Sequence, residues 1–251
     1  MTFCLGINVQ DGLVGIADTR LTSGNECLTA RKVTTYETDG GAFFIMTSGL
    51  RSIRDKALTY FEEALAEREE PLSRLHQAVN LFTDQVRRVS REDKESLAEG
   101  GLSFDMKALV GGQLLGDRDH KLYLIYPEGN WVDTGRGTPY HVIGSSGYGK
   151  PILDRTLTYA DSMRHAFKVG CLAFDSTRIS AADVDFPIDV VLYAPNSFRI
   201  VEHRFQKDDL ASISNWWQER LRTTMRDLPG EWLEQAFAKL SPGSSAKSGS
   251  P

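Results

Sequence analysis

The chain begins with the stretch MTFCLGINVQDGLVGIADTR (residues 1–20), in which apolar residues alternate with small or polar ones. Every second residue in positions 3–9 is apolar, which is the period of a β-strand with one buried face. Asp11-Gly12 is typical of a two-residue hairpin turn, and a second apolar run follows it. We therefore predict an antiparallel hairpin that returns Asp18 to the beginning of the first strand, near Thr2.

Thr2 is a candidate nucleophile if Met1 is removed, as an initiating methionine commonly is before a small side chain. The new terminal α-amine, with an ordinary pKa of about 8, would accept a proton from the hydroxyl of the same residue. One residue would then supply both the nucleophile and the base. The dipeptide alone is common, so this prediction depends on the residues around it.

A second predicted hairpin follows a loop that contains Cys27. β-forming residues occupy positions 33–36 and 42–47, on either side of the turn residues 39–41. Lys32 directly precedes this hairpin, and Gly49 ends it immediately before a predicted helix.

The order of these features resembles that of the proteasome β-subunits, which are N-terminal nucleophile hydrolases. The shared features are the N-terminal Thr, Gly-Ile-Ala-Asp-x-Arg, Lys-Val, and Ser-Gly before a helix. The resemblance implies that Thr2 is the nucleophile and that Asp18 and Lys32 are the acidic and basic groups that orient it. Arg20 matches the arginine of the same loop, and Gly49 matches the glycine whose backbone N–H faces the oxyanion.

The resemblance continues in the second half of the chain. The segment IGSSG (residues 143–147) is similar to the family's Gly-Ser-Gly-Ser segment, with Ser145 in the position of the active-site serine and Ser146 beside it in support. The late acidic position is Asp175, but no Ser-Gly-Gly follows it. Ser176 and Ser180 therefore both stay open as its partner.

The chemistry of these side chains agrees with the roles that the resemblance implies. A threonine hydroxyl is a poor nucleophile until a base takes its proton, and an ammonium such as that of Lys32 favours the charged form. Asp18 can hold Lys32 charged and aimed. The N–H of Gly49 would stabilise charge on the carbonyl oxygen that is attacked, an effect often worth about 3 kcal/mol.

Two neighbouring residues stay open as alternatives. The stretch between Arg20 and Lys32 is slightly shorter than in most β-subunits, so Arg31 is an alternative occupant of the lysine position. Cys4 lies on the Thr2 face of its strand and is an alternative thiol nucleophile, although no histidine partner is evident.

Composition limits the possible partners and location. With 41% hydrophobic and 25% charged residues, the 251-residue chain can bury a sizeable core. Its net charge of −5 gives no basic footprint, so we expect no nucleic-acid partner. Three irregularly spaced cysteines indicate reduced thiols and a cytoplasmic protein. The sequence contains no signal peptide and no apolar run of about 20 residues, so we expect no membrane partner. The five histidines are scattered, so we expect neither a metal nor a cofactor.

The remaining pattern predicts the order of helices and strands. Helices are predicted at about 52–67 and 73–89, followed by a charged surface loop at 90–103. Strands are predicted at 106–112, 121–126, 131–133 and 140–143, helices at 151–158 and 160–174, and a final hairpin from 186–193 and 198–205. This order suits an α+β fold, the four-layer αββα sandwich of two antiparallel sheets between helical layers that the resemblance implies.

The C-terminal part of the chain is predicted to be separate from the hydrolase domain of residues 1–206. Residues 207–240 are predicted to form a helical arm with an apolar stripe that holds three of the four tryptophans. The arm either docks on a neighbouring subunit, which we favour, or folds back on its own core. Residues 241–251 are rich in Ser, Gly and Pro and are predicted to be disordered.

Within the proteasome family, the chain looks most similar to the bacterial Anbu, or ancestral β-subunit, group. It begins at the nucleophile without a propeptide and ends in a helical arm. The resemblance implies a self-assembled ring or spiral that acts as a threonine-type endopeptidase on peptides or unfolded proteins. A small-amide hydrolase of the same nucleophile class and a non-catalytic assembly subunit are the alternatives. The sequence does not indicate an unfoldase partner.

Overall fold

The computed structural model describes residues 2–23 and 26–240. They belong to two compact units, of which the first ends at Ala211 and the second begins at Ser212. The tail predicted to be disordered lies outside the described residues.

Twelve strands and four helices of the first unit position the candidate site. In chain order the strands are β1 (Phe3–Val9), β2 (Gly12–Asp18), β3 (Arg20–Ser23), β4 (Glu26–Thr29), β5 (Val33–Thr38), β6 (Gly41–Gly49), β7 (Met106–Leu114), β8 (Lys121–Ile125), β9 (Trp131–Asp133), β10 (Tyr140–Gly144), β11 (Ile188–Tyr193) and β12 (Val201–Phe205). The helices are α1 (Arg51–Ala66), α2 (Leu75–Glu99), α3 (Lys150–Thr156) and α4 (Met163–Ser180).

Two five-stranded sheets form the middle of this unit. One has the strand order β10-β1-β2-β11-β12 and the other the order β5-β6-β7-β8-β9, and every pair of neighbours is antiparallel. The predicted first hairpin is confirmed, since β1 and β2 pair with Cys4 opposite Ala17. Asp18 therefore reaches the beginning of β1, as its short sequence separation requires.

Three layers of apolar side chains show that the helices cover the outer faces of the two sheets. Phe61 of α1 and Phe82 of α2 pack on the β5–β9 sheet, whereas Phe174 of α4 packs against Phe3 on the other sheet. A third cluster, which includes Met46, fills the space between the sheets. The predicted four-layer αββα sandwich is thus confirmed.

Two segments differ from the sequence-based expectation. Residues 90–99, predicted to be part of a surface loop, continue α2 to Glu99. The buried positions of that helix end at Val89, but the residues that follow are good helix formers whose charges pair in solvent, as Lys56 of α1 does with Glu92 and Asp93. The polar residues of this segment therefore indicated its exposure correctly, but the prediction of a loop was wrong.

The second difference lies in the predicted loop between Arg20 and Lys32. β3 and β4 form a small hairpin of their own there, with Arg20 opposite Thr29 and Leu21 opposite Leu28. This hairpin folds back the stretch of chain between Asp18 and Lys32, and the two residues are in contact at its ends.

The second unit is described by itself. It contains most of α5 (Lys207–Arg226), whose first residues belong to the first unit, and all of α6 (Glu231–Phe237). In α5 the rings of Trp216 and Trp217 stack with their centroids 6.4 Å apart. Among the described residues, no helix combines the length and apolar character needed to cross a membrane.

Candidate active site

A buried ion pair lies at the end of β2. The Lys32 Nζ donates to Asp18 Oδ1 at 2.6 Å and to the Arg20 carbonyl oxygen at 2.7 Å. Both side chains of the pair are 0% exposed. A lysine in this environment is held in one position by two short hydrogen bonds.

The same carboxylate oxygen links this pair to the N-terminal strand. Asp18 Oδ1 accepts a hydrogen bond of 2.7 Å from the backbone N–H of Phe3, the residue that follows Thr2. Because both bonds share one oxygen, the ammonium nitrogen of Lys32 lies close to the peptide group that joins Thr2 to Phe3. The predicted proximity of Asp18 to Thr2 follows from the β1–β2 hairpin.

The opposite side of Thr2 is held by the segment after β10. The backbone N–H of Ser145 donates to the Thr2 carbonyl oxygen at 2.7 Å. Gly144, with φ of +84°, lies so close that a Cβ there would overlap that carbonyl oxygen. Thr2 is therefore fixed on one side by Asp18 and Phe3 and on the other by Ser145, and it is itself buried at 8% exposure.

Gly49 ends β6 at the same end of the sandwich. The N–H of Thr47, two residues earlier, donates to the Lys32 carbonyl oxygen at 3.0 Å. Gly49 has φ of +107°, and a Cβ at this position would overlap the carbonyl oxygen of Asp105. Only glycine adopts this backbone conformation against such a neighbour without strain.

Burial and charge act in opposite directions on Asp18. Removal from water raises the pKa of the carboxyl above its ordinary value, while Lys32 and the Phe3 N–H favour the ionised form. A carboxylate beside an ammonium at 2.6 Å is the arrangement that retains both charges away from water.

The geometry decides between the two candidates for the lysine position. The Arg31 side chain is 50% exposed and forms ion pairs with Glu202 and, at 3.9 Å, with Asp189. Lys32 is the residue that contacts Asp18.

Cys4 does not have the properties of a nucleophile. Its side chain is fully buried, and its Sγ lies 3.7 Å from the Thr47 carbonyl oxygen. Burial raises the pKa of the Cys4 thiol to about 12, so the reactive thiolate is scarce near neutral pH.

Arg20 and Ser146, which were predicted to support the site, have different surroundings. Arg20 contributes its carbonyl oxygen to Lys32, while its guanidinium donates to Asp185 at 3.2 Å. Ser146 is exposed, next to the buried Ser145.

Asp175 lies on α4 and is bound by an arginine. Arg178, one helical turn further along, donates from Nε to Asp175 Oδ1 at 3.0 Å, and its Nη2 lies 2.7 Å from the same oxygen. The guanidinium also lies over the Phe186 ring, 5.3 Å from its centroid. Sequence reasoning considered Ser176 and Ser180 and missed Arg178, although a helix over this stretch would have brought positions three apart together.

Comparison with solved structures gives several Anbu proteins as neighbours over nearly the whole chain. An Anbu complex from Pseudomonas aeruginosa, solved as a helical assembly, matches with a TM-score of 0.84 and 29% identity over 90% of this chain and 97% of that one. Anbu from Yersinia bercovieri matches with a TM-score of 0.83 and 27% identity over 91% and 98%. Anbu from Hyphomicrobium sp. strain MC1 matches with a TM-score of 0.82 and 28% identity over 90% and 98%.

No protein-family model and no curated protein matches the chain. The matched structures nevertheless confirm the predicted resemblance to Anbu and the proteasome-like fold.

Proposed function

We propose that this chain, whose fold is that of Anbu, is a threonine-type peptidase with Thr2 as its N-terminal nucleophile. The observation that carries the proposal is the fully buried Lys32–Asp18 pair, joined through Asp18 to the peptide group that follows Thr2. Burying two charges costs free energy that an apolar pair would avoid, so a purely structural role explains the pair poorly.

The proposed reaction needs only groups of this chain and a water molecule. With Thr2 as the first residue, its α-amine takes the hydroxyl proton while Oγ attacks the scissile carbonyl carbon. The proton then passes to the leaving amine as the C–N bond breaks and an ester with Thr2 forms. Water attacks that ester, the α-amine again accepts a proton, and the Thr2 hydroxyl is regenerated as the acid product leaves.

The surrounding residues have distinct proposed roles in this reaction. Lys32, aimed by Asp18, stabilises the negative charge that develops on the Thr2 oxygen. The N–H of Gly49 donates to the oxyanion. Ser145 holds the Thr2 backbone, and Asp175, with Arg178, supports the terminal amine.

We also propose that the chain assembles with copies of itself in the cytoplasm and acts on peptides or unfolded proteins. The Pseudomonas aeruginosa neighbour is a helical assembly, which supports self-association. The free Cys4 and Cys171 suit a reducing compartment.

Intact mass spectrometry with a peptide epoxyketone, which requires both the amine and the hydroxyl of an N-terminal threonine, tests the proposal. Protein expressed from its own start codon is expected to lose Met1 and to gain one adduct at Thr2. Thr2→Ala is expected to abolish the adduct, and Lys32→Met to slow its formation by about 100-fold or more. Lys121→Met, which removes an exposed lysine paired with Asp133, is the matched control.

The alternatives correspond to other outcomes of the same experiment. A trimmed chain that never forms the adduct, or one that keeps Met1, would leave a non-catalytic assembly subunit. Labelling of Thr2 combined with turnover of small amides but not of peptides would indicate an amidohydrolase.

A further inference from the structure

Arg54 is a buried cation near the beginning of α1. Its side chain is 4% exposed, whereas those of Arg51 and Asp55 on the same helix are 56% and 53% exposed. An arginine is rarely buried to this degree without a partner that compensates its charge.

Among the residues described, the guanidinium of Arg54 has only one long ion-pair contact, to Asp55. Its buried Nε has no hydrogen-bond acceptor within the part of the chain that the structure describes. The carboxylate that it contacts is that of Asp55, with Nη2 and Oδ1 3.7 Å apart, and Asp55 is itself held by Arg51 at 3.1 Å. Arg54 therefore retains donors for a further anionic group.

Arg54 follows Gly49 by five residues and lies in the first turn of α1. The helix begins two residues after Gly49, and the backbone N–H of Arg54 donates to the Leu50 carbonyl oxygen at 3.1 Å. The positive charges of Lys32 and Arg54 both lower the pKa of Cys4, against the larger effect of burial. Cys4 shares the Thr2 face of β1, and Arg54 is among the charged groups that act on it.

Arg54 has a longer ion pair, at 3.7 Å, than the neighbouring charged groups. Asp18 neutralises Lys32 at 2.6 Å. Asp189, which also acts on Cys4, accepts two hydrogen bonds from Arg204, at 2.7 and 2.9 Å. Among the charged groups that act on Cys4 in the described part of the chain, Arg54 is therefore the one without an equally close counter-ion.

We propose that Arg54 is a specificity-determining residue that binds a carboxylate of the substrate next to the bond that Thr2 attacks. This inference rests on the proposed function and adds the substrate class, namely peptides with an acidic side chain or a free terminal carboxylate at that position. A guanidinium suits this task because its planar donors match the two oxygens of a carboxylate.

Matched fluorogenic peptides that differ only by Glu or Gln at the residue before the scissile bond test the inference. Wild-type protein is expected to cleave the Glu peptide with a kcat/KM about ten-fold or more above that of the Gln peptide. Arg54→Gln is expected to remove the preference, Arg54→Lys to keep part of it, and Arg164→Gln, an exposed control on α4, to leave it intact. Short peptides with a free or amidated C-terminus distinguish a terminal carboxylate from an acidic side chain.

Two further measurements separate failure of this inference from failure of the proposed function. Labelling by an uncharged epoxyketone shows whether each variant keeps a folded and reactive Thr2. Calorimetry with N-acetylglutamate and N-acetylglutamine, on wild type and Arg54→Gln, measures carboxylate binding without catalysis.

Each combination of results shows whether the inference about Arg54, the peptidase proposal or both are wrong. A labelled protein that treats all matched acidic and neutral peptides alike, or whose preference survives in Arg54→Gln, would overturn the role of Arg54 and leave the peptidase proposal intact. A chain that never labels but binds N-acetylglutamate through Arg54 would overturn the peptidase proposal and leave the carboxylate site at Arg54. If neither labelling nor carboxylate binding occurs, both are wrong.

Discussion

Lys32 and Asp18 are the two residues whose interaction most directly supports a catalytic role. Their contact of 2.6 Å is fully buried, and the same Asp18 oxygen accepts the Phe3 N–H. Removal of one partner leaves the other charge, or its donors, without compensation in a place that water does not reach.

A double-mutant cycle separates the structural from the catalytic effect of this pair. Asp18→Asn is expected to lower the free energy of unfolding by about 3 kcal/mol, because the Lys32 charge loses its counter-ion. In the double variant Asp18→Asn/Lys32→Met the loss is expected to be smaller than the sum of the two single losses. Denaturant unfolding measures both values, and additivity would show that the two side chains do not interact.

Thr2 labelling in the same variants gives the catalytic readout. Both Lys32→Met and the double variant are expected to form the epoxyketone adduct slowly, although the double variant regains stability. Fast labelling of a stable double variant would mean that the pair is not needed for the chemistry.

Gly144 controls the position of Thr2 through the backbone alone. Gly144→Ala introduces a Cβ that overlaps the Thr2 carbonyl oxygen at a φ of +84°, so we expect a loss of stability of about 1–3 kcal/mol and displacement of Thr2. Gly147→Ala is the matched control, because no described atom lies within 4 Å of its Cβ position. Thermal unfolding and the labelling rate check this prediction, which equal effects of the two substitutions would contradict.

At the scale of an element, α4 brings a buried carboxylate and an arginine together. The helical repeat aligns Asp175 with Arg178, and the side chain of Asp175 is only 7% exposed. The ion pair holds the Asp175 carboxyl against its own helix. The position of α4 therefore determines where this carboxyl lies.

Arg178→Ala is expected to destabilise the protein, because the buried Asp175 loses its ion pair and a hydrogen bond from a charged donor. We expect a cost of about 2 kcal/mol, which corresponds to a fall in Tm of roughly 4–8 °C for a chain of this size. Arg164→Ala, an exposed position on the same helix, is the control. Calorimetry of the two variants measures the difference, and similar Tm values would contradict a stabilising ion pair.

At the scale of the whole first unit, His120 joins the two sheets. It directly precedes β8 in one sheet, and its Nε2 lies 2.8 Å from the carbonyl oxygen of Val9 in the other. Burial lowers the pKa of His120 below its ordinary value, since the charged imidazole is poorly hydrated there.

Stability is therefore expected to fall as the pH decreases below about 6.5, the ordinary pKa of histidine. In that window the unfolded chain binds a proton at His120 that the folded chain does not, so acid favours unfolding until the lowered folded pKa is reached. His120→Gln is expected to flatten this part of the pH dependence. Denaturant unfolding between pH 5 and 8 measures the slopes; equal slopes for wild type and His120→Gln would contradict the prediction.

The assembly state is also a property of the whole molecule. We expect analytical ultracentrifugation to give a particle several times larger than the 28.0 kDa chain. Exposed aromatic side chains of the second unit, such as Trp232 and Phe237, are suitable contacts between subunits. Trp232→Ala/Phe237→Ser is expected to shift the distribution toward monomer, with Tyr148→Ala, another exposed aromatic position, as the control.

The sequence by itself determined the features that depend on short separations along the chain. The alternating residues around the Asp11-Gly12 turn fixed the first hairpin, and with it the contact of Asp18 with the strand of Thr2. The helical repeat likewise placed α1 directly after Gly49. These features are local, so residue type and period are sufficient to predict them.

Only the tertiary structure decided which side chains the fold removes from water. Lys32 and Arg31 are neighbours of similar charge, yet packing buries the first against Asp18 and leaves the second half exposed beside Glu202. Arg178 and Arg54 were not distinguished from surface arginines for the same reason. Burial results from contacts between distant segments, and a single sequence does not specify which of its charges those contacts enclose.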